Sequence, residues 1–137
     1  MFRPVCAETA ALGAPRIRSV IPILDVKDVR AAVAFYVTHL GFQEEFIMPD
    51  SSYGVVRYGR SIRIHLARSD DTRRLTATKI GSGLFLEVEN LDVYWRQVVA
   101  SSPPTRFRSM ERKPWGMLEF HILDLDGCLL RFGEEDR

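Results

Sequence analysis

The chain has 137 residues, 46% hydrophobic and 27% charged, with 19 Lys and Arg against 18 Asp and Glu. Those proportions describe one soluble globular domain with material for a single core. A net charge of +1 offers no basic field for nucleic acid or an anionic membrane.

No apolar run approaches the roughly 18 residues a membrane span needs, and no N-terminal apolar segment has the form of a signal peptide. Cys6 and Cys128 are too few for a disulfide framework and suit a reducing compartment. A cytoplasmic protein is therefore expected. Arg57, Arg60, Arg63, Arg68, Arg73 and Arg74 cluster with only Asp70 and Asp71 to offset them, which reads as a solvated basic edge.

Residues 1–15 mix Ala, Pro, Gly and charge without periodicity and read as a flexible extension, leaving one domain over 16–137. From Arg16 the pattern RIRSVIPILDV predicts a strand. Pro22 cannot donate to a ladder, so that strand belongs at a sheet edge. Asp28 is placed as a helix N-cap before Val29, Val33, Tyr36 and Leu40 at helical spacing, and Gly41 as the stop. Three strands follow, at 42–47, 53–59 and 61–67, the last two joined through Gly59-Arg60.

A linker at 68–80 leads to a second run of the same kind. A strand over 83–89 precedes Asn90 as N-cap, and Leu91, Tyr94, Trp95, Val98 and Val99 form a helical apolar stripe, which belongs to the core. Ser101-Ser102-Pro103-Pro104 ends that helix. A weak strand at 105–110 comes next. The loop Pro114-Trp115-Gly116 then opens a hairpin that turns at Asp126-Gly127. Leu24, Val26, Asp28 and Val29 match Leu86, Val88, Asn90 and Leu91 at a constant offset of 62 (90 − 28). The chain is thus a duplication: module one at 16–67, module two at 81–134, each βαβββ. The fold class is α+β.

Alternation along the strands sorts the faces. Ile62, Ile64 and Leu66 should face the helices and leave Arg63 and His65 on the other side. By the same rule Phe85 and Glu87, Leu129 and Arg131, and Glu119 and His121 face away from the core. Tyr53 and Trp115 are placed at the mouth of the resulting cavity. Two roles stay open for the charged members: ligand binding, or an internal network pairing Arg63 or Arg131 with Glu87 or Glu119. An exposed Trp in a Pro-Gly loop favours stacking on a planar ligand. Neither a nucleophile elbow nor a phosphate-binding Gly loop is present, and Gly81-Ser82-Gly83 alone is a turn signal.

The strings IPILDVKDVRAAVAFYVTHLGF, GLFLEVENLDVYW and KPWGMLEFHILDLDGCLLRFGE resemble the vicinal oxygen chelate superfamily, and within it the bleomycin resistance proteins. The resemblance implies two βαβββ modules forming curved mixed sheets around a cavity. It further implies a homodimer with cavities between subunits and an N-terminal strand exchanged near Pro22. Enzymes of the superfamily hold a divalent metal at four strand positions, which fall here on Ile21, His65, Gly83 and Arg131.

Only His65 could ligate, Arg131 would oppose a cation, and one His is too few for a site. His65 and His121 with Glu87 or Glu119 could imitate a two-His-one-carboxylate set only by abandoning that geometry, and His39 is expected at the surface. The implied function is metal-independent and cofactor-free binding of an aromatic or glycopeptide-type small molecule. The alternative is a metal-dependent lyase, isomerase or dioxygenase. Bleomycin-sequestering proteins are typically acidic, so near-zero charge and two pocket arginines point away from bleomycin itself.

Overall fold

The structure, a computed structural model, describes residues 13–71, 73, 75 and 83–136. The expected N-terminal extension with Cys6, the 68–80 linker and the Gly81-Ser82 turn lie wholly or largely outside these residues.

Two four-stranded sheets carry two helices. The first has β1 (Ile23–Val26), β4 (Ile62–Arg68), β3 (Tyr53–Tyr58) and β2 (Gln43–Ile47) in that spatial order, with α1 (Val29–Leu40) against it. The second has β5 (Gly83–Glu87), β8 (Leu129–Glu135), β7 (Met117–Leu123) and β6 (Phe107–Arg112), with α2 (Leu91–Ala100). In each sheet the first strand runs parallel to the last and the remaining pairs are antiparallel. This is the duplicated βαβββ plan, with neither sheet closed on itself.

Local chemistry sets α1. Asp28 Oδ1 accepts the Ala31 N–H at 3.0 Å, and Gly41, at φ 74°, returns its N–H to the Tyr36 carbonyl. Both ends therefore behave as the sequence demands. For α2 the start is right and the cap is not. Asn90 sits in the left-handed region at φ 59° with no side-chain cap bond. The Glu134 carboxylate caps the helix instead, accepting from Asn90 N at 2.8 Å and Leu91 N at 3.2 Å. A negative group there also meets the positive end of the helix dipole.

The first strand is shorter than expected. Ladder pairing begins at Ile23, and 13–22 are outside any strand, with Ile17 and Val20 exposed. Pro22 explains the stop: its carbonyl accepts from His65 N at 3.0 Å, but it has no N–H to continue the ladder. β1 is an edge strand, as Pro22 required. The sixth strand lies two residues later than expected, with a register shift between Arg108 and Glu111. Val99 is exposed, off the packed stripe of α2, and Ile62 is 49% exposed because it borders an open cleft between the modules.

Both modules share one core. Leu24, Val33, Tyr36, Ile64 and Leu66 are continuous with Leu91, Tyr94, Phe120, Leu130 and Phe132, and each large buried side chain stabilises by roughly 1.5–3 kcal/mol. Polar contacts also stitch the halves, among them Lys27 N–H donating to Asp126 Oδ1 at 2.8 Å. Tyr94 Oη donates to Leu40 O at 2.6 Å, Tyr36 Oη to Asp124 Oδ2 at 2.9 Å, and His39 Nδ1 lies 3.0 Å from Ser101 Oγ. His39 is thus half-buried at the seam rather than free at the surface.

Candidate functional site

The hairpin loop positions the most conspicuous aromatic group. Gly116 N donates to Lys113 O at 3.1 Å and Lys113 N to Met117 O at 2.7 Å, which closes β6 onto β7. Pro114 suits the turn through its fixed φ, and Gly116 takes φ 84°, a conformation that glycine accepts freely. Trp115 is left at the apex, 63% exposed. Its indole Nε1 nevertheless donates to Glu119 Oε2 at 2.6 Å, and Lys113 Nζ lies 5.9 Å from its ring centre.

Glu119 is only 1% exposed and receives a second contact, His121 Nε2 at 3.0 Å from Oε1. Burial pushes its carboxyl up, but the bonds from His121 and Trp115 outweigh that and hold it below the ordinary glutamate range. Trp115, Glu119 and His121 form one connected unit on the face of the second sheet away from α2.

Phe85 shares that face. It pairs across the ladder with Arg131, and Arg131 with His121. A side chain at Gly133 would put its Cβ 2.6 Å from Phe85 Cζ, 3.2 Å from Glu119 Cγ and 3.2 Å from Met117 Cε. The missing Cβ therefore lets the Phe85 ring lie down against the sheet beside Glu119. Glu87 is exposed at the edge of the same face.

The first sheet presents a different surface. Tyr53 Oη lies 2.7 Å from His65 Nδ1 with the rings edge to face. Arg63 makes a bidentate pair with Glu45, with Nε 2.9 Å from Oε2 and Nη2 2.9 Å from Oε1. That bond from Arg63 holds the Glu45 carboxyl below its usual range. Strand register makes Tyr53 the counterpart of Glu119, and His65 that of Arg131.

The nine expected site residues thus fall into two groups. Tyr53, Arg63 and His65 lie on the first sheet, and Phe85, Glu87, Glu119, His121, Arg131 and Trp115 on the second. Two hollows cut across this division, and Tyr53, His65, Glu119 and Trp115 border neither. A largely apolar cleft of about 710 Å³ between the modules is bordered by Arg63, Phe85 and Glu87 together with Ile62, Leu86 and Tyr94. A second hollow of about 660 Å³ on the second sheet is bordered by His121, Leu129 and Arg131 with Arg106 and Arg108.

The expected internal network is not the one formed. Arg63 pairs with Glu45, and Glu119 with Trp115 and His121. Glu45 escaped the sequence because a bulge between Glu44 and Phe46 turns it toward Arg63. Arg106 and Arg108 escaped it because the sixth strand carries no clean alternation. Gly133 gave no signal, since its role depends on a ring two strands away.

A divalent metal does not fit these residues. Among the described residues no group of three or more His, Cys, Asp or Glu gathers as a ligand set. The register puts Ile23 beside His65 and Phe85 beside Arg131, two residues beyond Ile21 and Gly83. Neither Ile23 nor Phe85 can donate to a metal.

The family described as "Glyoxalase superfamily protein" matches residues 5–137. The bleomycin-binding protein of Streptomyces verticillus, solved with copper(II)-bleomycin, is similar at 25% identity and TM-score 0.69, over 87% of this chain and 97% of that one. A glyoxalase-related enzyme from Clostridium phytofermentans shares the fold at 22% identity and TM-score 0.71, over 88% and 97%. So does a bleomycin resistance determinant encoded on the transposon Tn5, at 23% identity and TM-score 0.71, over 88% and 100%. No curated protein sequence matches the chain.

Proposed function

Starting from a chain that belongs to the glyoxalase superfamily, we propose that it binds a small molecule rather than transforming one. The ligand is an aromatic or glycopeptide-type compound, an antibiotic or related metabolite, captured without a metal by a cytoplasmic homodimer. The observation that carries this reading is Trp115, an exposed indole whose N–H is held by a buried carboxylate. Ordering a stacking surface before the ligand arrives reduces the cost of binding. Phe85 and Met117 extend the same surface.

Pairing of subunits through the N-terminal segment is supported by exposed Ile17 and Val20, which precede an edge strand. Exchange of that segment at Pro22 would cover both. Similarity to a bleomycin-binding protein supports a ligand of antibiotic type. The other reading, a metal-dependent lyase, isomerase or dioxygenase, needs about three protein donors, where the expected positions offer His65 alone.

A thermal-shift screen of antibiotics and aromatic metabolites, with and without divalent cations, tests the proposal. A ligand at a hundred times its Kd should contribute about 2.7 kcal/mol of stability. The expected hit is metal-independent, is recovered unchanged, and is lost in Trp115→Ala. A hit that needs metal, or that is consumed, overturns the binding role.

A further inference from the structure

The face carrying Trp115 is chemically polarised along its strands. Met117, Glu119, His121 and Leu123 follow one another on β7, each step advancing about 7 Å. At the Trp115 end lie the Phe85 ring, Met117 and the indole. The acids gather there too. Glu119 is engaged by Trp115 and His121, Glu111 is paired with Lys113, and Glu87 and Glu135 stand across the ladder from Gly133 and Met117.

The other end is basic. Arg131 and Arg108 both pair across the ladder with His121 from its two sides, and Arg106 borders the same hollow. Among the described residues none of these three guanidinium groups forms an ion pair or side-chain hydrogen bond, whereas Arg63, Arg96 and Arg112 each do. Leu123 and Leu129 supply an apolar floor between them. Arginines without a bonded partner around one hollow, of which Arg108 feels only the nearby charge of Glu111, offer forked donors that suit a planar anion.

We propose that this hollow takes the acidic group of an aromatic anion, a carboxylate or phosphate held by Arg131 and Arg108, while the ring of the same molecule stacks on Trp115. The inference rests on the binding role above and narrows the class of its ligand. Because the two ends are separated by one to two strand steps, ring and charge should stand roughly 7–14 Å apart. A short flexible spacer therefore belongs between them.

The test uses three probes on the full chain: 4-(1-pyrenyl)butyrate, its amide, and the pyrenyl compound with a phosphate at the end of the same spacer. Binding is read by pyrene fluorescence. At least one anion should bind tenfold or more tighter than the amide, and its affinity should fall as salt rises. Arg131→Gln and Arg108→Gln should each lower anion affinity on the order of tenfold and amide affinity by far less. Arg96→Gln, on the outer face of α2, should change neither.

A tighter phosphate names phosphate as the charge, and the reverse order names carboxylate. Equal affinity for anion and amide, or no effect in either arginine variant, overturns the anion site and leaves aromatic capture standing. If no probe binds, aromatic capture fails and the anion site with it.

Discussion

Tyr36 and Asp124 meet at 2.9 Å, hydroxyl to carboxylate, across the boundary between the two modules. Tyr36 comes from α1 and Asp124 from the turn of the closing hairpin, where its other oxygen accepts the N–H groups of Asp126 and Cys128, each at 2.9 Å. Burial raises the Asp124 carboxyl, and the donors around it only partly offset that. The Tyr36 hydroxyl is pushed up as well, by burial and then by Asp124.

Removing the hydroxyl by Tyr36→Phe leaves a buried carboxylate oxygen without its donor. We expect a loss of about 1–3 kcal/mol, read by urea unfolding. The pH dependence follows from the direction of the shift. The folded state holds the Asp124 proton to higher pH than the unfolded state does, so its contribution to stability falls as pH rises from about 4 through the raised pKa. Asp124→Asn removes that slope. Its stability relative to the native protein should therefore improve with pH across that window, and a parallel pair of curves would contradict the assignment.

Glu119 has the opposite sign. Its folded pKa is lowered, so its contribution is present above the ordinary glutamate value and is lost as pH falls through the lower, folded value. Trp115 emission, isolated by difference against Trp115→Phe because Trp95 also emits, should stay constant through the ordinary carboxylate range. It should change only below that range. A transition centred at or above about pH 4.3 would show that the indole and carboxylate are not coupled as described.

Gly133→Ala separates fold from recognition. The added Cβ meets the tip of a half-exposed ring, Phe85, which can swing outward. The expected cost to stability is about 1 kcal/mol, in line with a mild overpacking. Ligand affinity should fall further than stability does, because the ring leaves the binding surface. A large loss of stability at unchanged affinity would assign the glycine to packing instead.

Bleomycin itself should bind only at micromolar strength or weaker. The drug is cationic, the chain carries a net charge of +1, and the hollow of the second sheet is bordered by Arg106, Arg108 and Arg131. Calorimetric titration decides the point, and a nanomolar Kd would defeat the electrostatic argument. Metal analysis of untagged protein should likewise find no stoichiometric divalent ion.

The sequence carried the repeat, the strand faces apart from Ile62, and both helix starts because those depend on neighbours a few positions apart. Asp28 and Gly41 declare themselves within one turn of α1. Glu134 capping α2 does not, since its target lies more than forty residues upstream. The same limit explains the site. The exposure of Trp115 was legible from its loop, and the face that Arg131 takes from alternation. The pairing of Arg63 with Glu45 depends on a bulge, and the cradle at Gly133 on a ring from another strand. What is set by periodicity reads from one chain segment; what is set by register between segments does not.

The alternation of β7 and β8 has a consequence for how such a protein changes over generations. Phe120, Ile122, Leu130 and Phe132 hold the core, while the residues that alternate with them, Glu119, His121, Leu129 and Arg131, share the opposite face of the sheet. At His121, Leu129 and Arg131, none of them fully buried, selection can exchange one residue type for another and leave every core contact in place. Glu119 is the exception, tethered to the indole. Around that fixed point the chemistry of the face can change without first passing through an unfolded intermediate.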